Sequence, residues 1–233
     1  MLKENLNIVQ QKISDAKARG GRKNENITLV AVSKTEPLRY IEELLSYGVR
    51  DFGENKAQEF RDKYNLLSKG INWHFIGHLQ KNKIKYVVGK AELIHSIDST
   101  DIAESVNKKA ADLGVSQKIL LEVNTSGEES KFGIRDEKDL YEIASFCKNA
   151  SNLNLLGLMT MAPFTNDESA IRKSFSALRT MKEKLNSEGF GLTELSMGMT
   201  NDYEIAVEEG ATILRIGTAI FGERDYTKPW NQK

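Results

Sequence analysis

Apolar positions along the chain follow two different periods. Leu2, Leu6, Val9, Ile13 and Ala16 recur at helical spacing and predict an opening amphipathic helix that ends near Gly20 and Gly21. Residues 27–32 then form a nearly unbroken, largely β-branched apolar run, as a strand buried on both faces reads. From there short apolar runs alternate with amphipathic stretches. Strands are expected over 27–33, 49–53, 73–76, 93–97, 118–123, 155–159, 193–196 and 212–216. The intervening stretches carry helical faces. These are Ile41, Leu44 and Leu45; then Ala57, Phe60, Tyr64 and Leu67; then a short helix over 79–88. Asp101, with Glu104 three residues later, resembles a capping box before Ile102, Val106, Ala110 and Leu113. Further helices are expected over 136–147, through Ile171, Phe175, Leu178 and Leu185, over 201–209, and after Gly222.

Alternating strands and helices mean right-handed parallel crossovers. Eight such units suit a TIM (β/α)8 barrel, and the number of repeats favours it over a doubly wound open sheet. The expectation is therefore an α/β single domain over residues 1–233, with the extra N-terminal helix covering the bottom of the barrel. In such a barrel functional groups gather just after strand ends. Here Lys34 follows the first strand, Glu54 and Asn55 the second, His78 the third, Asp98 the fourth, Asn124 to Lys131 the fifth, and Thr160 the sixth. Ser196 to Thr200 follow the seventh strand, and Arg215 to Thr218 close the eighth.

Composition narrows the possibilities. Lys+Arg and Asp+Glu both number 33, so no charge excess points to nucleic acid or an anionic membrane. The one cysteine, Cys147, excludes an internal disulfide, fits a reducing compartment, and falls on an apolar helix face as a core residue. No apolar run approaches the length of a membrane span. A cytoplasmic protein is expected. The three histidines, His74, His78 and His95, share no metal-ligand spacing, so no metal site is expected. His74 and His95 read as structural or lumen residues, whereas His78 falls on a functional-face loop.

The candidate chemistry starts at Lys34. A lysine where a buried strand meets its loop is costly unless solvated, paired or covalently used, and partial burial makes its amine nucleophilic. Ser196-Met197-Gly198-Met199-Thr200-Asn201, running into a helix, offers free N–H groups, a glycine and hydroxyls for an anion. Arg215-Ile216-Gly217-Thr218 adds a guanidinium, a second glycine and a second hydroxyl, and loops after strands seven and eight often hold phosphate in barrels. Either stretch alone is also an ordinary cap or turn. Closure would set the eighth strand beside the first, and so the phosphate cup beside Lys34. The aldehyde and phosphate arm of pyridoxal 5′-phosphate sit on adjacent ring carbons, and a lysine next to a phosphate cup fits that cofactor as a Schiff base. Arg215 has two readings, against the phosphate or against the pyridine nitrogen.

At these residues the chain resembles the pyridoxal-phosphate homeostasis protein family, stand-alone barrels similar to the N-terminal domain of alanine racemase. The resemblance lies in Ala31-Val32-Ser33-Lys34-Thr35, Phe52-Gly53-Glu54-Asn55, the 73–83 segment, Ser130-Lys131-Phe132-Gly133, Gly157-Leu158-Met159, Leu195-Ser196-Met197-Gly198-Met199-Thr200 and the 215–222 segment. It implies Lys34 as the Schiff-base lysine, with Ser196, Gly198, Met199, Thr200, Arg215, Gly217 and Thr218 near the phosphate and Asn55 near the ring. Thr200 stands where serine is usual and keeps the hydroxyl. The resemblance also implies a carrier acting in vitamin B6 balance, with pyridoxal-phosphate-dependent apo-enzymes as recipients and no established catalytic turnover. The chain ends at Lys233, soon after Gly222. A second domain bearing the racemase's tyrosine is therefore not expected, and a monomer is. A racemase or related enzyme on the same barrel, and a sugar-phosphate enzyme using Lys34 without a cofactor, are the competing functions. Lys131 reads as a solvated loop lysine that could receive the cofactor transiently.

Overall fold

The computed structural model describes residues 1–67, 69–223 and 229–232. Eight parallel strands close on themselves in chain order. They are β1 (Thr28–Val32), β2 (Asp51–Glu54), β3 (Asn72–Phe75), β4 (Leu93–Ile97), β5 (Gln117–Glu122), β6 (Leu153–Met159), β7 (Glu194–Ser196) and β8 (Ile213–Ile216). The helices are α1 (Leu2–Arg19), α2 (Leu38–Ser46), α3 (Ala57–Leu66), α4 (Ile84–Val87), α5 (Thr100–Leu113), α6 (Glu137–Asn149), α7 (Glu168–Ser187), α8 (Tyr203–Glu208) and α9 (Thr218–Phe221). This is the expected TIM-like barrel with an N-terminal helix.

Period-two alternation splits the apolar residues into two layers. Side chains such as Phe52, Phe75, Ile119 and Leu195 point outward and form one continuous layer with the helices. Val30, Leu93, Leu120, Met159 and Ile213 form a separate small cluster in the lumen. Gly53 belongs to that inner face. A Cβ there would lie 2.9 Å from Val30 Cγ1, so the absent side chain leaves room for the lumen layer.

Four details differ from the sequence expectation. First, α1 does not cover the floor. It packs against α8 and α9 and also touches α2, filling the outer position that the four-residue α9 is too short to occupy. Asn5 Nδ2 donates to the Ile220 carbonyl at 3.0 Å, and Arg19 pairs with Glu204 and Glu208. Second, the eighth helix precedes Gly222 and starts directly at the end of β8. Third, α5 is capped by Ser99, whose Oγ accepts from Ile102 N–H at 3.4 Å, two residues before the expected Asp101. Fourth, α8 begins at Tyr203 after a turn, so the 196–201 segment does not enter a helix directly.

Gly157 shows how tightly the sheet is built. A Cβ on it would lie 2.0 Å from the Glu194 carbonyl oxygen of β7. Gly157→Ala should push β6 from β7 and cost about 1–3 kcal/mol, read as a lowered urea midpoint at unchanged slope. A midpoint equal to that of the unaltered protein would show that the two strands can part freely here.

Candidate functional site

Register fixes the centre of the site. In the closing seam Val30 of β1 pairs with Arg215 of β8, and Ala31 with Ile216. Lys34 shares the inward parity of Val30 and lies at the mouth of the barrel, partly buried. Arg215 thus lies below Lys34 across one seam.

Arg215 is buried in the lumen. Its Nη1 donates to Ser196 Oγ at 2.5 Å and its Nη2 to the Thr160 carbonyl at 2.8 Å. These bonds draw the guanidinium toward the ends of β6 and β7, under the centre of the mouth. Burial lowers its pKa to about 10, with Glu122 and Asp202 opposing, so the group stays charged at neutral pH. Glu122 ends β5 and is buried. Desolvation and then Asp98 raise its carboxyl to about 7, while Arg215 acts the other way.

The loops after β7 and β8 meet beside this centre. Ala219 N–H at the start of α9 donates to Thr200 Oγ1 at 3.2 Å, which joins the two loops. Gly198 has φ 96°, and a Cβ there would come 2.6 Å from Ala206 Cβ and 2.9 Å from Leu214 Cδ2. Its carbonyl accepts from Arg215 N–H. Only glycine lets this loop lie so close. Met199 N–H donates to Asp202 Oδ1 at 2.5 Å, and Thr218 is exposed at the end of β8. The structure therefore brings Gly198, Met199, Thr200, Gly217 and Thr218 together. Ser196 lies lower, its hydroxyl committed to Arg215 and His95. Asn55 follows β2 on the neighbouring rim. Gly77 packs on its backbone, where a Cβ would lie 2.0 Å from the Asn55 carbonyl oxygen.

Opposite, His78 stacks on Phe132 with ring centroids 3.8 Å apart, and its Nδ1 lies 3.3 Å from Asp98 Oδ2. Lys131 Nζ donates to the Ala162 carbonyl at 2.7 Å and pairs with Glu128 at 2.5 Å. It ties the loops after β5 and β6 together. Cys147 is buried on α6, and burial pushes its thiol up to about 12, which makes it inert as a nucleophile.

One part of the site has no simple counterpart in the sequence expectation. Behind Lys34, in the layer between the sheet and α3, Lys63 is wholly buried. Its Nζ lies 2.8 Å from both Glu54 Oε1 and Glu59 Oε1 and donates to the Ser33 carbonyl at 2.7 Å. Ser33 Oγ donates to the same Glu54 oxygen. Glu59 Oε1 also accepts from Thr35 N–H at 2.6 Å. Thr35 has φ 65°, a left-handed conformation that strains a β-branched residue. Burial pushes the Glu54 carboxyl up, with Lys63 opposing. The cluster holds the turn that aims Lys34. Its only local signal is the Glu59/Lys63 i,i+4 pair on the same face as Phe60 and Tyr64.

An alanine-racemase-type barrel with a lysine at the end of β1 and a buried arginine on β8 is the class that this fold and site define. In agreement, residues 2–225 match the family described as "Alanine racemase, N-terminal domain". An alanine racemase of Clostridium difficile shares the fold, with TM-score 0.77, 15% identity, and coverage of 98% of this chain and 61% of that one. The pyridoxal phosphate homeostasis protein of Aquifex aeolicus is 43% identical over 225 residues, covering 96% of this chain and 98% of its own. PipY of Synechococcus elongatus, solved with PLP bound, aligns with TM-score 0.83 and 33% identity over 95% of this chain and all of its own. The chain belongs to the pyridoxal phosphate homeostasis protein family.

Glu122 gives this site a pH signature. Its folded pKa lies above the usual 4.5, so the stability it contributes is present below that value and lost as pH rises through about 7. In Glu122→Gln the fall in unfolding free energy between pH 4.5 and 7 should shrink, by up to about 3 kcal/mol for a shift of this size. Urea midpoints across that range measure it. Parallel curves for the two proteins would place the Glu122 carboxyl in water.

Proposed function

We propose that this protein holds pyridoxal 5′-phosphate and acts in its intracellular supply as a carrier rather than through catalytic turnover. The observation that carries the reading is the β1–β8 seam, which sets an inward lysine, a buried guanidinium and two glycine-bearing loops around one mouth. The donor set fits that cofactor: an amine for the aldehyde, a cation for the ring, and N–H and hydroxyl groups for the phosphate. The names of the Aquifex relative and of the PLP-bound PipY structure support the same assignment.

Lys34 is the covalent anchor, and Glu59 positions it through Thr35. Gly198, Met199, Thr200, Gly217 and Thr218 receive the phosphate. Ser196 acts from beneath through Arg215, and Asn55 flanks the ring. Arg215 takes the pyridine nitrogen rather than the phosphate, because its bonds to Ser196 and Thr160 hold it in the lumen. A guanidinium cannot accept a proton, so a ring facing it stays a weak electron sink. Bound there, the cofactor supplies an electrophilic carbonyl, and the chain supplies binding and orientation. Residues 1–233 act as one cytoplasmic, monomeric cofactor-binding domain that passes its load to pyridoxal-phosphate-dependent apo-enzymes. Among the described residues no helix is long and apolar enough to cross a membrane, and no cluster of metal-ligating side chains occurs.

The test is the visible spectrum with added pyridoxal phosphate, followed by borohydride reduction and peptide mapping. A new band with the label fixed on Lys34, lost in a folded Lys34→Ala variant, is expected. A label on another lysine, or no band, rejects the assignment. Cα deuterium exchange into added amino acids that depends on Lys34 would make the protein a racemase-type enzyme instead. Arg215→Ala should weaken cofactor binding by about 1.5–3 kcal/mol, the range for a hydrogen bond to a charged group, with the far-ultraviolet dichroism unchanged. An equal dissociation constant would remove Arg215 from the site.

A further inference from the structure

A polar thread runs through the apolar lumen. Asp51 Oδ1 lies 3.1 Å from His74 Nε2, His74 Nδ1 lies 2.9 Å from His95 Nε2, and His95 Nδ1 lies 2.9 Å from Ser196 Oγ. Ser196 Oγ in turn accepts from Arg215. β2, β3, β4, β7 and β8 each contribute one residue. His74, His95, Ser196 and Arg215 are buried, whereas the Asp51 side chain, at the first residue of β2, is 27% exposed. The thread therefore runs from Arg215, under the mouth of the barrel, to solvent at its floor.

With both rings neutral, its two ends fix where the protons sit. A guanidinium only donates and a carboxylate only accepts. Asp51 takes the Nε2 proton of His74. Neutral His74 then presents a lone pair at Nδ1, so His95 carries its proton on Nε2. Neutral His95 presents its Nδ1 lone pair to the Ser196 hydroxyl, which still accepts from Arg215. All four bonds are satisfied and all point toward the floor.

We propose that Ser196, His95, His74 and Asp51 form a proton relay between the mouth of the barrel and its floor, and that the protonation of the relay sets the direction of the Ser196 hydroxyl beneath Arg215. The relay deepens the cofactor reading, on which it rests only for what occupies the mouth. It belongs to the chain without ligand.

The Ser196 Oγ–H bond breaks and an N–H bond forms at His95 Nδ1. The His95 Nε2–H bond breaks and an N–H bond forms at His74 Nδ1. The returning proton comes from a hydronium ion that an opening past Arg215 admits from the mouth to Ser196 Oγ, and which leaves as water. One proton has entered, and it rests on the His74 imidazolium against Asp51. Burial, then His74 and Arg215, disfavour the charged form of His95. The His74–His95 and His95–Ser196 bonds now point the other way, while His74 still donates to Asp51 and Arg215 to Ser196. Ser196 accepts from both His95 and Arg215, and its own proton turns elsewhere. The polar and charged groups facing the thread are Asn72 of β3, whose Nδ2 donates to Asp51 Oδ1 at 3.1 Å, and Glu122 of β5 and Asp202, which act on Arg215.

The chain has three histidines, so their ring nitrogens are separable, with His78 on the rim as an internal control. Ligand-free protein labelled with ¹⁵N-histidine would be followed by long-range ¹H–¹⁵N correlation from pH 8 to 5. At pH 8 both His74 and His95 should be Nε2–H tautomers. On acidification His95 should switch from the Nε2–H to the Nδ1–H tautomer and stay neutral. Asp51→Asn should move that switch to lower pH by about one unit or more, because the carboxylate that stabilises the incoming proton is gone. An Nδ1–H tautomer of His95 at pH 8, a His95 ring that gains charge instead of switching, or an unmoved switch in Asp51→Asn would overturn the relay. These readings contain no pyridoxal phosphate, so they stand or fall apart from the borohydride test.

Discussion

The pairing of β8 with β1 is the constraint on which the rest of this structure depends. It converts a row of eight strands into a closed wall and removes both sheet edges. It also makes neighbours of Lys34 and Arg215, residues far apart in the chain. Without it the loop after β8 would not lie beside the lysine. The same seam explains α1. A short α9 leaves the outer face between α8 and α2 bare, and α1 covers it with Leu2, Leu6, Val9, Ile13 and Ala16.

Around that seam, charge is placed where solvation is weakest. Lys63 with Glu54 and Glu59 lies outside the wall, and Arg215 with Glu122 lies inside it. Buried ion pairs contribute little net stability against apolar alternatives, yet breaking one partner is costly. Such groups are therefore best understood as devices of position. The outer cluster holds Thr35 in a left-handed turn that a threonine would not adopt alone. Inside, the bonds to Ser196 and to the Thr160 carbonyl set a guanidinium under the mouth. Lys34 is aimed from behind and faced from below.

Eight short strands and the polar residues after them were legible in the chain, because burial on both faces writes continuous apolar runs and functional groups collect at one end of a barrel. Lys34, the glycine-bearing loops and Arg215 fell where that logic put them. Helix boundaries were less legible. Asp101 and Ser99 are both plausible caps, and only the path of the backbone selects Ser99. Lys63 was not singled out by the sequence, since its i,i+4 spacing from Glu59 does not report that its amine turns inward to Ser33 and Glu54.

The sequence by itself determined the periodicities, hence the strand and helix order, the place of Lys34 and Arg215 at strand ends, and the glycines of the rim loops. Tertiary structure decided the rest. His74 and His95 each read as isolated strand histidines, because the feature that matters is their contact with each other and with Ser196 across three different strands. That contact is set by the stagger of the closed sheet, which no local pattern encodes. The position of α1 was settled in the same way, by which outer face closure left uncovered. Local pattern fixes which way a side chain points; only closure fixes what it meets there.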